Sequence, residues 1–168
     1  MAIKKTQQGF ALLIAIIFMS VMLSFGLTLG ALAYKQQILA SNAVESQYAF
    51  YAADAALECA LYADQQLGSF VYPVSDPGAA PALSAFCGGL APVSSSEVWS
   101  TSKWVVSLRV SLDANKHCAD VTVYKYKDPD PVTHITAYLF SQGYNVSCTT
   151  LASPGGARLV SRGLNASY

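Results

Sequence analysis

The stretch FALLIAIIFMSVMLSFGLTLGALAY, from Phe10 to Tyr34, contains no charged residue in 25 positions. A helix rises about 1.5 Å per residue, so about 20 apolar residues cross the hydrocarbon core of a bilayer. A chain of 168 residues has too little core to bury a helix that is apolar on every side. The stretch is therefore predicted to be a membrane-spanning helix.

A cleaved secretory signal peptide is an alternative interpretation of this stretch. Such peptides have apolar cores of about 7–15 residues, followed by a cleavage site between small residues. A site of that kind can be drawn after Gly30-Ala31-Leu32-Ala33. The apolar run is longer than a signal peptide needs, which favours a membrane helix.

The charges on either side of the span predict its orientation. Lys4 and Lys5 precede it, and Glu45 is the first acidic residue of the chain. Positive charges favour the cytoplasmic side of a membrane. The N-terminus is therefore expected in the cytoplasm, and everything after Lys35 is expected to be exported as one domain, residues 35–168.

The four cysteines fit an exported domain, because an even number of cysteines outside the cytoplasm indicates disulfides. Four cysteines allow three pairings, and closing the shorter loops favours Cys59–Cys87 and Cys118–Cys148. The spacings are wide and include no C-x-x-C, which argues against a zinc cluster. Two disulfides are predicted.

The helix is predicted to continue beyond the span, to about Gln66. No glycine occurs between Gly30 and Gly68 and no proline precedes Pro73, while Ala, Leu, Gln and Glu dominate. Residues 35–66 are expected to be amphipathic and to pack on the rest of the domain. The predicted buried stripe consists of Val44, Tyr48, Tyr51, Ala52, Ala55, Leu57, Cys59, Leu61 and Tyr62.

A sheet is predicted after a long loop. Residues 68–102 hold four prolines and several glycines and serines, which indicates a variable loop. Alternation of apolar and polar residues then predicts strands. The expected strands are Trp104–Leu112, Cys118–Tyr126, Thr133–Asn145 and Ala157–Tyr168. Short turns between them predict an antiparallel sheet of about four strands, residues 103–168, packed on the helix in an α+β fold.

The N-terminus resembles a type IV prepilin signal. KKTQQG|FALLIAIIF has a short Lys-containing leader, a glycine, and a phenylalanine that opens a long apolar helix. The order of helix, loop and antiparallel sheet is similar to the pilin architecture, and AFYAADAALECALYAD (Ala49–Asp64) resembles the corresponding helix of PilX-type minor pilins. The resemblance is specific over about the first 65 residues and only architectural beyond them.

The resemblance implies a processing and assembly route. A prepilin peptidase would remove residues 1–9 by cutting between Gly9 and Phe10, and would methylate the new amine of Phe10. Other pilins and the assembly platform of the inner membrane are the implied partners. The mature subunit would pack its apolar helix, residues 10–34, among other such helices in a filament.

One position departs from the pattern of the family. Most pilins carry a glutamate at the fifth mature residue, which pairs with the terminal amine of a neighbour. Here that residue is Ile14, and the span holds no acid. A charge within a membrane is costly and normally functional, so its absence is informative. The departure favours a minor subunit, at the tip or in priming, over a major one.

Other functions find less support in the sequence. No motif of a hydrolase or of a phosphate-binding loop occurs, and we expect no enzyme and no cofactor. A metal site could be drawn from His117, His134, Asp113, Asp120, Asp128 and Asp130, but solvated turn residues explain these better, and no metal is expected. A nucleic-acid surface could be drawn from Lys125, Lys127, Arg158, Arg162, Tyr124 and Tyr126.

Formal net charge is zero, or −2 once Lys4 and Lys5 are removed, which gives nucleic-acid binding little electrostatic support.

Three alternatives to a minor pilin remain. A pseudopilin of a type II secretion or competence system shares the same signal. A tip module that binds a surface or DNA, and a membrane-anchored domain that is never cut, are the other two alternatives.

Overall fold

The computed structural model describes residues 7–83, 86–87, 91–127 and 135–168. The chain divides into two compact units, residues 1–43 and residues 44–168. Helix α1 comprises Gln7–Gln65. The elements that follow are β1 (Ser94–Trp99), β2 (Lys103–Leu112), β3 (His117–Lys127), β4 (Ile135–Tyr144), α2 (Cys148–Ala152) and β5 (Ser161–Ser167).

The five strands form one antiparallel sheet in the order β1-β2-β3-β4-β5. Each strand therefore pairs with its neighbours in sequence. One face of the sheet packs on the second half of α1, which confirms the predicted α+β fold. Residues of even number in β2 and of odd number in β3 and β4 face α1, as in Val106, Val121 and Leu139, all fully buried.

Helix α1 ends at Gln65, three residues before Gly68, the first glycine after Gly30. Gly68 has φ +60°, a left-handed conformation that glycine adopts without strain. The amide of Ser69 donates to the carbonyl of Ala63 at 2.9 Å, so a carbonyl of the last helical turn finds a partner. The end predicted near Gln66 is one residue from the observed one.

The predicted buried stripe of α1 is wrong in most positions. Val44, Tyr48, Tyr51, Ala55 and Tyr62 are exposed, and only Ala52 and Leu57 of the predicted set are buried. Cys59 and Leu61 are partly buried. The buried positions instead form an alanine stripe: Ala49, Ala52, Ala53, Ala56, Ala60 and Ala63.

Close approach of the sheet explains why alanines are buried. A Cβ added to Gly143 of β4 would lie 2.2 Å from the carbonyl oxygen of Ala49 and 2.3 Å from the amide nitrogen of Ala53. The backbone of β4 therefore touches the backbone of α1, and only small side chains fit between them. The large aromatic side chains of α1 lie on its other faces.

The structure adds a strand and a short helix to the predicted elements. β1 lies inside the stretch predicted as a loop, residues 68–102, so the sheet has five strands rather than about four. The third predicted strand, Thr133–Asn145, is observed from Ile135, and residues 133–134 lie outside the described part. The fourth, Ala157–Tyr168, is observed as the shorter β5. Helix α2 was not predicted; the side chain of Ser147 caps it by accepting from the amide of Thr150 at 3.1 Å.

Both disulfides form with the predicted pairing. Cys59 of α1 bonds Cys87, and Cys118 of β3 bonds Cys148 of α2. The first joins the helix to the segment between α1 and β1, and the second joins the sheet to α2. Each disulfide therefore closes the shorter of the possible loops, as predicted.

A buried ionic contact joins α1 to β3 and to the last residue of the chain. Lys125 Nζ and the hydroxyl of Tyr168 both donate to Asp64 Oδ2. The side chains of Lys125 and Asp64 are less than a tenth exposed. Burial and the Asp64 hydrogen bond raise the pKa of the Tyr168 phenol.

Candidate functional site

The first part of α1 presents an apolar surface, and its large apolar side chains are exposed among the residues that the structure describes. It is long and apolar enough to cross a membrane by length and composition, and it is the one helix with this property among the described residues. Phe10 is 69% exposed and Ile14 is 51% exposed. An uncovered apolar surface of this length needs lipid or other apolar helices around it.

Gly9 and Phe10 lie in the first turn of α1. The helix begins at Gln7, so the backbone on both sides of the Gly9–Phe10 bond is helical. The structure describes nothing of Lys4 and Lys5. Ile14 lies one turn after Phe10 on the same helix.

Gly26 and Gly30 also lie in this apolar part, and a Cβ added at either one would meet nothing within 4 Å. Both glycines therefore leave open space on the helix surface. The hydroxyls of Ser20, Ser24 and Thr28 donate hydrogen bonds to backbone carbonyls three or four residues earlier. These polar groups are therefore satisfied within the helix.

The residues suggested for a basic surface are not brought together. Lys125 faces α1 and is bound to Asp64, whereas Tyr124 and Tyr126 point to the opposite side of the sheet. Arg162 pairs in register with Gly143 and donates to Ser46 Oγ at 2.7 Å, also toward α1. Lys125 and Arg162 therefore do not share a face with Tyr124 and Tyr126, because neighbouring strand residues point to opposite faces.

The residues weighed as metal ligands are also dispersed. Asp120 is held by Arg109, and His117 Nε2 lies 3.8 Å from Asp113 Oδ2 with its ring stacked on Tyr48. His134, Asp128 and Asp130 lie outside the described residues. Within the described ranges, no three acidic, histidine or cysteine side chains are grouped as metal ligands.

The side of the sheet away from α1, the outer sheet face, carries an aromatic platform at one end. It consists of Tyr124, Tyr126 and Tyr138. The rings of Tyr124 and Tyr126 are nearly parallel, 6° between planes and 6.4 Å between centroids, and Tyr138 lies 5.8 Å from Tyr124. Lys103 Nζ lies 5.1 Å from the Tyr124 centroid and 5.7 Å from that of Tyr126.

A polar cleft of about 440 Å³ lies beside the platform on β1, β2 and β3. Most of its lining side chains on the outer sheet face carry hydroxyls: Ser94, Ser96, Ser107 and Thr122, with Arg109 and Asp120. Arg109 donates to Asp120 through Nε at 2.7 Å and Nη2 at 2.8 Å. This bidentate contact raises the pKa of Arg109, so the pair is fixed in its charged form.

Tyr144 borders the same ion pair. Its hydroxyl donates to Asp120 Oδ2 at 3.3 Å, and burial, followed by the nearby carboxylate, raises the pKa of its phenol. The phenol therefore stays neutral and acts as a donor at any ordinary pH. Arg109, Asp120 and Tyr144 form a rigid polar group on the outer sheet face.

Ser107, Arg109 and Ser111 face away from the core, as the alternation of apolar and polar residues in β2 requires. The platform itself was not predicted. Its signal is present in the sequence as aromatic residues two apart on successive strands, Tyr124 and Tyr126, then Tyr138 and Phe140. Knowledge of the β3–β4 register, Tyr124 opposite Tyr138, is needed to bring them together.

No protein-family model, curated protein or solved structure significantly matches this chain.

Proposed function

We propose that this chain is a structural subunit of a type IV pilus or a related filament, and a minor subunit at the tip or in priming. The observation that carries the proposal is α1. Its first part is uncharged, exposed and long enough for a membrane, and the same unbroken helix continues into a domain where it packs on a sheet.

A helix of this kind can exchange one apolar environment for another. In a bilayer its apolar side chains are surrounded by lipid, and in a bundle of identical helices they are surrounded by one another. Both environments satisfy the surface from Phe10 to Tyr34, so a subunit can move from one to the other. Open helix surface at Gly26 and Gly30 supports close helix packing.

The disulfides of residues 44–168 support the same proposal. Two disulfides belong to an oxidising compartment, which agrees with a domain outside the cytoplasm. Before assembly the subunit would span the inner membrane with its N-terminus in the cytoplasm. There it would meet prepilin peptidase and the assembly platform, and afterwards it would lie in an extracellular filament.

Ile14 supports a minor position. A subunit at the tip has no further subunit above it whose amine needs a carboxylate partner. Ile14 offers an apolar surface on the same helix face one turn after the proposed new N-terminus. A pseudopilin of a type II secretion or competence system is the second candidate, and the same apolar residue at position 14 supports it.

The N-terminus of the mature protein tests the proposal. The full chain is expressed in a host with a type IV prepilin peptidase, purified from membranes and analysed by mass spectrometry. The expected sequence begins at N-methylated Phe10. An intact Met1, or a start near Lys35, would refute the pilin assignment.

Matched glycine variants sharpen this test. Gly9→Leu should block cleavage, because a bulky side chain occupies the place before the scissile bond. Gly26→Leu is the control: it puts the same side chain on another glycine of α1 and should leave cleavage intact. Equal processing of the two variants would contradict the proposed site.

Copy number separates a minor from a major subunit. Filaments sheared from cells are quantified by mass spectrometry with labelled peptides of this chain. A few copies per filament are expected, and thousands would contradict the minor assignment. Loss of a secreted enzyme rather than of pili on deletion would favour the pseudopilin.

A further inference from the structure

We propose that the outer sheet face binds a neutral oligosaccharide, with sugar rings stacked on the aromatic platform and hydroxyls bound in the polar cleft. This role goes beyond the filament function and does not depend on it. It rests on the register of the strands, on the chemistry of the side chains and on the balance of charge on this face.

Strand register arranges the outer sheet face in rows. Tyr124 has Val105 on one side and Tyr138 on the other, and the next row holds Ser107, Thr122 and Phe140. The row beyond holds Arg109 and Asp120. Rows are separated by two residues along a strand, about 7 Å. Aromatic rings therefore lie directly beside hydroxyls, and hydroxyls directly beside a fixed ion pair.

This sequence of rows matches the two kinds of surface that a sugar presents. A pyranose ring has apolar C–H groups on its faces and hydroxyls around its edge. Aromatic rings pack against the C–H groups of the sugar faces. Side-chain hydroxyls, a guanidinium and a carboxylate form hydrogen bonds with the sugar hydroxyls. From the row of Lys103 and Tyr126 to that of Arg109 and Asp120 the face extends about 20 Å. This is room for several linked sugars.

The fold itself does not use these rings. The core of the domain lies on the other side of the sheet, between the strands and the alanine stripe. Tyr126 is 41% exposed, so the core does not require its ring and a charged residue could stand in its place. Sheet faces bearing aromatic residues bind chain-like ligands such as oligosaccharides and oligonucleotides in other folds.

The small number of charges on the outer sheet face favours a sugar over a nucleic acid as the ligand. Among the described strand residues of the outer sheet face, the cations are Lys103 and Arg109 and the anion is Asp120. Arg109 is neutralised by its bidentate contact with Asp120, which leaves one cation. Single-stranded nucleic acid requires a groove with several cations along the backbone. A nearly neutral face complements a neutral ligand.

The test uses the full chain in a zwitterionic detergent that carries no sugar headgroup. Cellohexaose, maltohexaose and chitohexaose are the probes, and a single-stranded oligothymidylate is the comparison. Saturation-transfer difference NMR should show transfer to at least one hexasaccharide and none to the oligothymidylate at physiological salt. Transfer to none of the three, or to the oligothymidylate alone, would overturn the proposal.

Variants locate the site. Tyr124→Ala should weaken the binding of that hexasaccharide about tenfold, because one stacking surface is lost. Tyr124→Phe keeps the ring and should bind within about threefold of the unchanged protein. Tyr62→Ala removes an exposed tyrosine of α1 and is the control. Near-ultraviolet circular dichroism checks folding, and Tyr126→Ala replaces Tyr124→Ala if the latter misfolds. Equal binding by the platform variants and the control would overturn the proposal.

Discussion

Gly143→Ala is predicted to destabilise the domain strongly, although it adds a single methyl group. The added Cβ would lie 2.2 Å from the carbonyl oxygen of Ala49, where an ordinary contact needs about 3.4 Å. Both contacting groups are backbone, so no side chain can rotate away. The sheet and α1 must therefore separate by about 1.2 Å.

The cost follows from the alanine stripe. Each buried methyl contributes about 0.8 kcal/mol, so its alanines together contribute roughly 5 kcal/mol. A gap of about 1 Å forfeits a quarter to a half of such packing, or about 1–2.5 kcal/mol. Overpacking of cores costs about 1–3 kcal/mol in general. We expect a loss of about 2 kcal/mol in the free energy of unfolding.

Thermal unfolding of the oxidised full chain in detergent, followed by circular dichroism, measures this loss. For a domain of this size it lowers Tm by roughly 6–10 °C. Gly26→Ala is the matched control, since its new Cβ meets nothing within 4 Å and alanine is the better helix former. A fall in Tm of less than about 2 °C for Gly143→Ala would refute the close approach of the two backbones.

Three further predictions concern the contacts that join the elements of the domain. Replacing Cys118 and Cys148 together by serine should cost about 2–5 kcal/mol in urea unfolding, because the disulfide no longer restricts the unfolded chain; an unchanged midpoint would contradict this. Lys125→Met leaves Asp64 buried without a cation and should cost about 3–5 kcal/mol, while Lys125→Met with Asp64→Leu should recover most of it. If the single variant loses less than about 1 kcal/mol, the ion pair is not buried in solution. Tyr168 has a raised pKa in the folded state, so its contribution to stability is complete below the unfolded pKa of about 10 and is lost as pH rises through the folded pKa. Tyr168→Phe should therefore remove a tyrosine titration step at high pH from the absorbance at 295 nm, and loss of a step near the ordinary tyrosine pKa of about 10 would contradict the Asp64 contact.

The sequence predicted the elements whose signals are local. Twenty-five uncharged residues, good helix formers up to Gly68, and alternation from Trp104 onward each act within a few turns or a single strand. The class of fold and the bounds of α1 follow from them. Loop length sufficed for the disulfides, because each closes a loop of about 30 residues rather than a longer one.

The elements that escaped prediction depend on distant partners. β1 begins with three serines, which favour strands weakly, and it is a strand because Ser94–Trp99 pairs along β2. The buried face of α1 was predicted wrongly because large apolar residues are normally assigned to a buried face. Gly143 instead brings the sheet so close to α1 that only alanine fits there. The aromatic platform likewise needs the β3–β4 register, which no single strand encodes.

The meander order of the strands has a consequence for how the domain forms. Because every strand pairs with the one before it, each hairpin can close as soon as its second strand becomes available, without waiting for the remainder of the chain. Exposed strand edges are then short-lived, since each new edge is covered by the next strand. The amphipathic part of α1 comes first in the chain, so an apolar surface is ready when β2 arrives. A polypeptide that emerges vectorially, N-terminus first, can thus assemble this sheet in the order in which it is delivered.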